Sequence, residues 1–252
     1  MSDIPPSRYV AFMHEAGNFG VGGFGEISDE FIREAVGLLR GREGNRFDLP
    51  NGDDYPDEVQ TGMGRTGTTL WASQRIYGGI GMPNYRGENM PPAAISAAKG
   101  LGSNHRAALT FVRKDVAKTV DGLTYHTFGE NVEDLAVMGT VIQMAQRDDW
   151  VGNARERGEQ LRADLESARS QTRIPFEIQG RGLMLGIRLE SAAKVNAVLR
   201  QAPLDGWVCG KGGLTGNVLR VAPPINIIEA EASELAAGIA KTLSSEEAEA
   251  AA

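Results

Sequence analysis

Two side chains in this sequence are of the types that carbonyl–amine chemistry needs. Asp57 heads the glycine-punctuated stretch Asp57-Glu58-Val59-Gln60-Thr61-Gly62-Met63-Gly64-Arg65-Thr66-Gly67, and Lys99 lies within Ala97-Ala98-Lys99-Gly100. A carboxylate can keep a pyridine-type nitrogen protonated and its ring electron-withdrawing, while a lysine amine can form a Schiff base and move protons at the adjoining carbon. Both tasks require fixed geometry, which the glycines permit. Taken alone, Lys99 reads as a solvated lysine; its place after the aspartate stretch makes it the Schiff-base candidate.

The pattern DEVQTG-x-GRTG resembles the class III (subgroup II) aminotransferases, pyridoxal-phosphate enzymes of fold type I. Further blocks resemble the same family in the family's order: Thr127-Phe128-Gly129 with Asn131, Arg181-Gly182-Leu183-Met184-Leu185-Gly186-Ile187, and Asn217-Val218-Leu219-Arg220-Val221-Ala222-Pro223-Pro224. The resemblance runs from about Tyr9 to Leu243 and corresponds to the C-terminal part of a family member. It implies pyridoxal 5'-phosphate as cofactor, with Lys99 as Schiff-base lysine and proton shuttle, Asp57 on the pyridine nitrogen and Gln60 near the ring hydroxyl. It further implies that Thr127 reaches the cofactor phosphate of the neighbouring subunit in a homodimer. Arg220 resembles the arginine that can hold a substrate carboxylate bidentately; the other reading is an arginine on an exposed strand edge.

The activity implied is transamination between an amino acid or ω-amine donor and a 2-oxo acid. Two alternatives stay open. One is a pyridoxal-phosphate lyase of the same fold, since the cofactor supplies the carbanion sink and the pocket chooses the bond that breaks. The other is a truncated or degenerate member without catalysis, favoured by the absence of counterparts to the family's N-terminal half.

A chain of 252 residues that is 41% hydrophobic can bury a substantial core. A net charge of −7 favours neither nucleic acid nor an anionic membrane as partner. The N-terminus has no basic or apolar leader pattern and no apolar run reaches membrane-span length, so the expected address is cytoplasmic, with an organellar one left open. The single cysteine, Cys209, reads as a buried apolar residue, and no metal-ligand pattern emerges.

The order of elements predicts an α/β three-layer domain over residues 1–145, an α+β domain over 146–245 and a frayed tail at 246–252. By resemblance these are a partial large domain and the small C-terminal domain of the aspartate aminotransferase-like fold. Tyr9–Met13 reads as a buried parallel strand, Phe31–Leu39 as a sheet-covering helix after Ser28 and Asp29, and Leu109–Val112 as a strand. Helices are predicted over 134–147, 151–168, 192–200 and 229–243, with strands at 176–178, 183–187, 207–209 and 218–221.

Four departures from the family pattern stand out. Residues 45–56 are rich in turn and breaker residues, arguing against a strand leading into Asp57. Residues 78–92, a loop by composition, lengthen the spacing to Lys99. Glu130 replaces a glycine and sets a carboxylate where a phosphate is expected. Ala16 replaces a proline after Glu15, which reads equally as a cofactor-positioning residue or an ordinary loop glutamate. His105 reads as a polar loop histidine without a catalytic role.

Overall fold

The computed structural model describes residues 11–16, 18–20, 22–40, 53–77, 82–83, 89–118, 127, 129 and 131–246. In chain order its elements are β1 (Ala11–Glu15), β2 (Asn18–Phe19), β3 (Gly25–Glu26), α1 (Asp29–Leu39), β4 (Asp53–Asp57), α2 (Ala72–Tyr77), β5 (Met82–Pro83), β6 (Asn89–Met90), β7 (Ala94–Ala97), β8 (Leu109–Val112), α3 (Lys114–Ala117), α4 (Val132–Arg147), α5 (Trp150–Ala168), β9 (Glu177–Arg181), β10 (Met184–Arg188), α6 (Ala192–Gln201), β11 (Gly210–Gly212), β12 (Val218–Val221) and α7 (Glu229–Leu243). They group into two compact units. The first comprises residues 1–17, 27–63 and 69–148, and the second residues 18–26, 64–68 and 149–252.

The first unit holds a four-stranded sheet in the order β1-β4-β7-β8. Its strands β1, β4 and β7 are parallel, and β8 runs antiparallel to β7. On one face, α1 and α2 supply Ile32, Val36, Ala72 and Ile76 to a small core with Ala16. Helix α1 starts where the sequence predicts, with the Ser28 hydroxyl accepting from Phe31 N at 3.1 Å. It is tied to α2 by Arg33 Nε donating to the Ile76 carbonyl at 2.7 Å and by an Asp29–Arg75 ion pair at 2.5 Å.

Strand β4 corrects the expectation that residues 45–56 exclude a strand before Asp57. Asp53 to Asp57 pair in parallel with Ala11 to Glu15, and Pro56 is accommodated opposite His14. The sequence Asp-Asp-Tyr-Pro-Asp forms a strand because its charges are answered from elsewhere. Asp54, fully buried, accepts from Arg40 Nη2 at 2.5 Å and from the Tyr77 hydroxyl. Arg40, itself 2% exposed, also donates to Asp53 and to the Pro91 carbonyl, each at 3.0 Å. Arg113 reaches the other oxygen of Asp53 at 2.5 Å. Burial pushes the Asp54 carboxyl above its ordinary value, and the Arg40 charge pulls it back.

Two further expectations are revised. The strand expected at Tyr9–Met13 is described from Ala11 to Glu15, Tyr9 and Val10 lying outside the described residues, and only alternate side chains point inward: His14 is 5% exposed and Met13 64%. The inserted segment 78–92 is not wholly loop, since β5 and β6 pair antiparallel.

His14 couples this core to pH. Its ring stacks on Phe12 at 5.0 Å, and Nε2 lies 3.3 Å from the Tyr77 hydroxyl. Burial lowers its pKa from 6.5 to about 4, so the fold prefers the neutral ring. Between those values the unfolded chain binds a proton that the folded chain refuses, so stability falls as pH drops through this window. The expected loss between pH 7.5 and pH 5 is about 2 kcal/mol. Denaturant midpoints at the two pH values measure it, and His14→Gln is expected to flatten the difference; an unchanged slope would assign it to another group.

The second unit contains the antiparallel sheet β11-β12-β10-β9. Leu185, Ile187, Leu219 and Val221 from its strands join Leu161 and Leu165 of α5, Val195 and Val198 of α6, and Ile239 and Leu243 of α7 in one core. Asp149 caps α5 by accepting from Gly152 N at 3.0 Å. The strand expected at Trp207–Cys209 is displaced to Gly210–Gly212. Trp207 turns into the core instead, where its indole N–H donates to the Thr242 hydroxyl at 2.8 Å.

Candidate active site

The parallel strands of the first unit end together, and their C-terminal ends carry the candidate chemistry. Glu15 closes β1, Asp57 closes β4, and Lys99 follows β7 by two residues. Register fixes this arrangement: Glu15 pairs with Asp57, Asp57 pairs with Ser96, and Glu58 N donates to the Ser96 carbonyl at 2.8 Å. The carboxyl edge of a parallel sheet is where open α/β folds bind ligands, because loops there can diverge around a crevice.

Asp57 is oriented locally. Its Oδ1 accepts from Val59 N at 2.8 Å, an interaction that sets the carboxylate plane at the start of the turn. Glu58 points the other way and is 1% exposed. It accepts from the Thr61 hydroxyl and from Ser73 N, both at 2.6 Å, and so closes the turn while satisfying a donor at the α2 N-terminus. Burial raises the Glu58 pKa. Sequence reasoning does not reach these positioning roles of Glu58, Thr61 and Ser73, although Glu58 and Thr61 are visible as the acid and hydroxyl of the motif. Gln60 lies partly buried in the same turn.

Lys99 is exposed and opens a short 3-10 turn, Lys99–Gly102, with its backbone at φ 51. Ser103 and Asn104 also have positive φ, at 43 and 76. Left-handed backbone at residues other than glycine costs of order 1–3 kcal/mol each and persists where surrounding structure enforces it. Here the enforcement comes from fully buried Leu101, from Gly102, where an added Cβ would lie 3.3 Å from that of Ala107, and from His105 N donating to the Gly102 carbonyl at 2.8 Å. His105 itself sits at the surface, Nδ1 3.5 Å from Asp134.

Thr127 is exposed. His126, Phe128 and Glu130 lie outside the described residues, and so does the expectation that Glu130 repels a phosphate. The donor set of the first unit fits pyridoxal phosphate at the ring: a carboxylate suited to a protonated ring nitrogen and an accessible amine suited to an aldehyde, on neighbouring strand ends. Among the described residues no cluster of His, Cys, Asp and Glu is arranged to hold a metal ion, and no helix is long and apolar enough to cross a membrane.

The motif continues into the second unit. Arg65 donates to the Pro223 carbonyl at 2.8 Å, and its own carbonyl accepts from Leu183 N at 3.0 Å. Gly67, at φ 70, lies where an added Cβ would come within 2.8 Å of the Arg155 backbone. Its absence of side chain is therefore a packing requirement.

Arg220 lies on β12, an inner strand paired on one side with Gly186 and on the other with Gly210. This removes the exposed-edge alternative. Its aliphatic stem crosses Gly212, where an added Cβ would lie 2.6 Å from Arg220 Cδ, and its guanidinium stacks over the Phe24 ring at 4.7 Å. Phe24 is 2% exposed.

Two solved structures share this architecture. N-acetylornithine aminotransferase from Stenotrophomonas maltophilia K279a is 25% identical with a TM-score of 0.72, the match covering 92% of this chain and 56% of that one. A phospholyase from Arthrobacter is 20% identical with a TM-score of 0.78, covering 94% and 54%. The fold is that of the pyridoxal-phosphate-dependent enzymes of fold type I.

Within that class, the chain belongs to the class-III aminotransferase family, whose pattern matches residues 56–243. The family's cofactor is pyridoxal 5'-phosphate. Human mitochondrial alanine–glyoxylate aminotransferase 2 is 26% identical over 223 residues, 84% of this chain and 40% of that protein. Acetylornithine aminotransferase of Xanthomonas axonopodis pv. citri is 32% identical over 188 residues, 73% of this chain and 42% of that protein. The chain thus spans less than half the length of these curated relatives.

Proposed function

We propose that this chain carries the lysine and aspartate of a pyridoxal-phosphate-dependent transamination between an amino acid or ω-amine donor and a 2-oxo acid acceptor. The observation that supports it most strongly is the placement of Asp57 and Lys99 on adjacent parallel strand ends, locked through Ser96. When bound, the cofactor supplies an electron sink for the carbanion formed at the amine-bearing carbon.

The chain's own groups do the rest. Asp57 would keep the proton on the ring nitrogen, its Oδ1 held by Val59 N. Lys99 would supply the amine that holds the aldehyde and, once the donor amine has displaced it, the base that takes the proton from the donor's amine-bearing carbon and redelivers it across the adjoining bond. Gln60 would sit near the ring hydroxyl. Arg220 holds a substrate carboxylate through two parallel N–H donors. Thr127 would donate its hydroxyl to the cofactor phosphate of the partner subunit in a homodimer. In this reading the first unit is the partial large domain, the second is the small α+β domain, and the address is cytoplasmic.

The test is direct. Borohydride reduction of the purified chain with stoichiometric pyridoxal phosphate, followed by peptide mapping, is expected to place the label on Lys99, and an amino donor is expected to convert the bound cofactor to its pyridoxamine form. Label on another lysine sinks the assignment of Lys99. Ammonia release without pyridoxamine would place the activity with the lyases of the same fold.

A further inference from the structure

The sheet of the first unit has one dry face and one wet face. Side chains alternate across its strands, so register separates those that point toward α1 and α2 from those that point away. Toward the helices, His14, Asp54, Pro56 and Ala97 are buried. On the opposite face no described residue is buried. One row of that face crosses all four strands. Met13 pairs with Tyr55 and Ala94 with Val112, while the Asp57–Ser96 pair sets Tyr55 beside Ala94 two residues back along both strands. Met13 is 64% exposed and Val112 42%. Parallel strands occur almost only in sheets covered on both faces, usually by helices. A row of methionine, tyrosine, alanine and valine has the composition of such a covered layer and marks an interaction surface where it meets water.

From this exposure we infer that the uncovered face docks an amphipathic helix of a second polypeptide, with an apolar stripe flanked by lysine or arginine. Ala94 and Ser96 are small, so β7 lies low between Tyr55 on one side and Val112 on the other, a trough that an apolar helix stripe can enter. Glu15 and Asp57 stand in register on the next row, and the whole chain carries a net charge of −7. Flanking cations are drawn to that row, whereas a second copy laid face to face meets like charge. The two solved relatives devote only 56% and 54% of their length to the shared architecture, so each has further polypeptide from which such cover can come. Docking here is independent of the cofactor.

Thiol labelling of the full 252-residue chain, with and without a synthetic helical peptide of leucine and lysine whose leucines share one face, tests the surface. Cys209 is the one native cysteine, and burial pushes its thiol up to about 12, so a maleimide reads an introduced cysteine over a low background. Met13→Cys and Val112→Cys are expected to react quickly in the free chain and at least about tenfold more slowly when the peptide saturates it. Met13→Lys is expected to weaken the peptide at least about tenfold, because it buries a cation without a partner. Leu214→Lys, in the second unit at a residue 96% exposed, is expected to leave peptide binding unchanged. Equal binding to parent, Met13→Lys and Leu214→Lys chains shows attraction by net charge alone and overturns the docking face. Labelling of both cysteines that the peptide does not slow overturns the helix as occupant. Slow labelling in the free chain overturns the open face, and if it quickens on dilution while the chain sediments as a dimer, the occupant is a second copy.

Discussion

Lys99→Ala is expected to abolish the reducible cofactor adduct at this position and to slow conversion to the pyridoxamine form by roughly a thousandfold or more, the range over which a positioned proton-transferring group contributes. The backbone at Lys99 provides the control that separates lost chemistry from lost fold. At φ 51 a side chain of any kind is strained, and glycine is not. Lys99→Gly is therefore expected to be as inactive as the alanine variant yet at least as stable as the parent chain, raising its denaturation midpoint where alanine does not. Rate measurements on both variants, paired with their melting curves, check this. If the glycine variant melts lower, the left-handed turn is not a source of strain. If either variant keeps its rate, Lys99 is not the proton carrier.

The second large effect is on stability. Asp54→Ala is expected to cost about 3 kcal/mol, because it takes the nearest carboxylate from a buried guanidinium. Arg40 Nη2 would keep Asp53 and the Pro91 carbonyl, but lose its closest partner, and the Tyr77 hydroxyl would lose its acceptor. Exchanging both charges for apolar groups, Arg40→Met with Asp54→Leu, is expected to be far milder, since the desolvation of two charges is removed together with their attraction. Urea midpoints of the single and double variants give the comparison. A single variant costing under about 1 kcal/mol would show that the pair does not hold β4 in the sheet. The consequence reaches chemistry, because Asp57 is three residues further along the same strand.

The parts of the fold that are legible in the sequence follow from local patterns. Helices α1, α4, α5, α6 and α7 announce themselves through apolar residues at helical spacing, and α7 spans Glu229–Leu243 as its periodicity predicts. The hairpin β9–β10 is legible from its apolar runs and Gly182, whose φ is 57. β4 is not legible, because Asp53, Asp54 and Pro56 argue locally against a strand; the groups that stabilise it there, Arg40, Tyr77 and Arg113, are distant in sequence. β7 is hidden for a related reason: it is only four residues long, and nothing in Ala94-Ile95-Ser96-Ala97 alternates strongly. The excursions 18–26 and 64–68 into the second unit are glycine-rich, but nothing in that composition says which unit they join. At the candidate site, Asp57 and Lys99 are identifiable by residue type and setting, whereas Ser96, Glu58 and Ser73 emerge only once strand register is known.

The glycine-rich motif is two inscriptions written end to end. Its first half, Asp57 to Met63, belongs to the unit that bears the lysine, while Gly64 to Thr68 are folded into the other unit, where Gly67 is pressed against Arg155 and Arg65 is tied to Pro223. The two halves answer to different demands, the proposed chemistry for one and packing for the other. A descendant that abandoned catalysis would be free to lose Asp57 long before it could lose Gly67. The letters Gly-Arg-Thr-Gly therefore answer to packing, and it is the acid at the head of the motif on which the proposed chemistry rests.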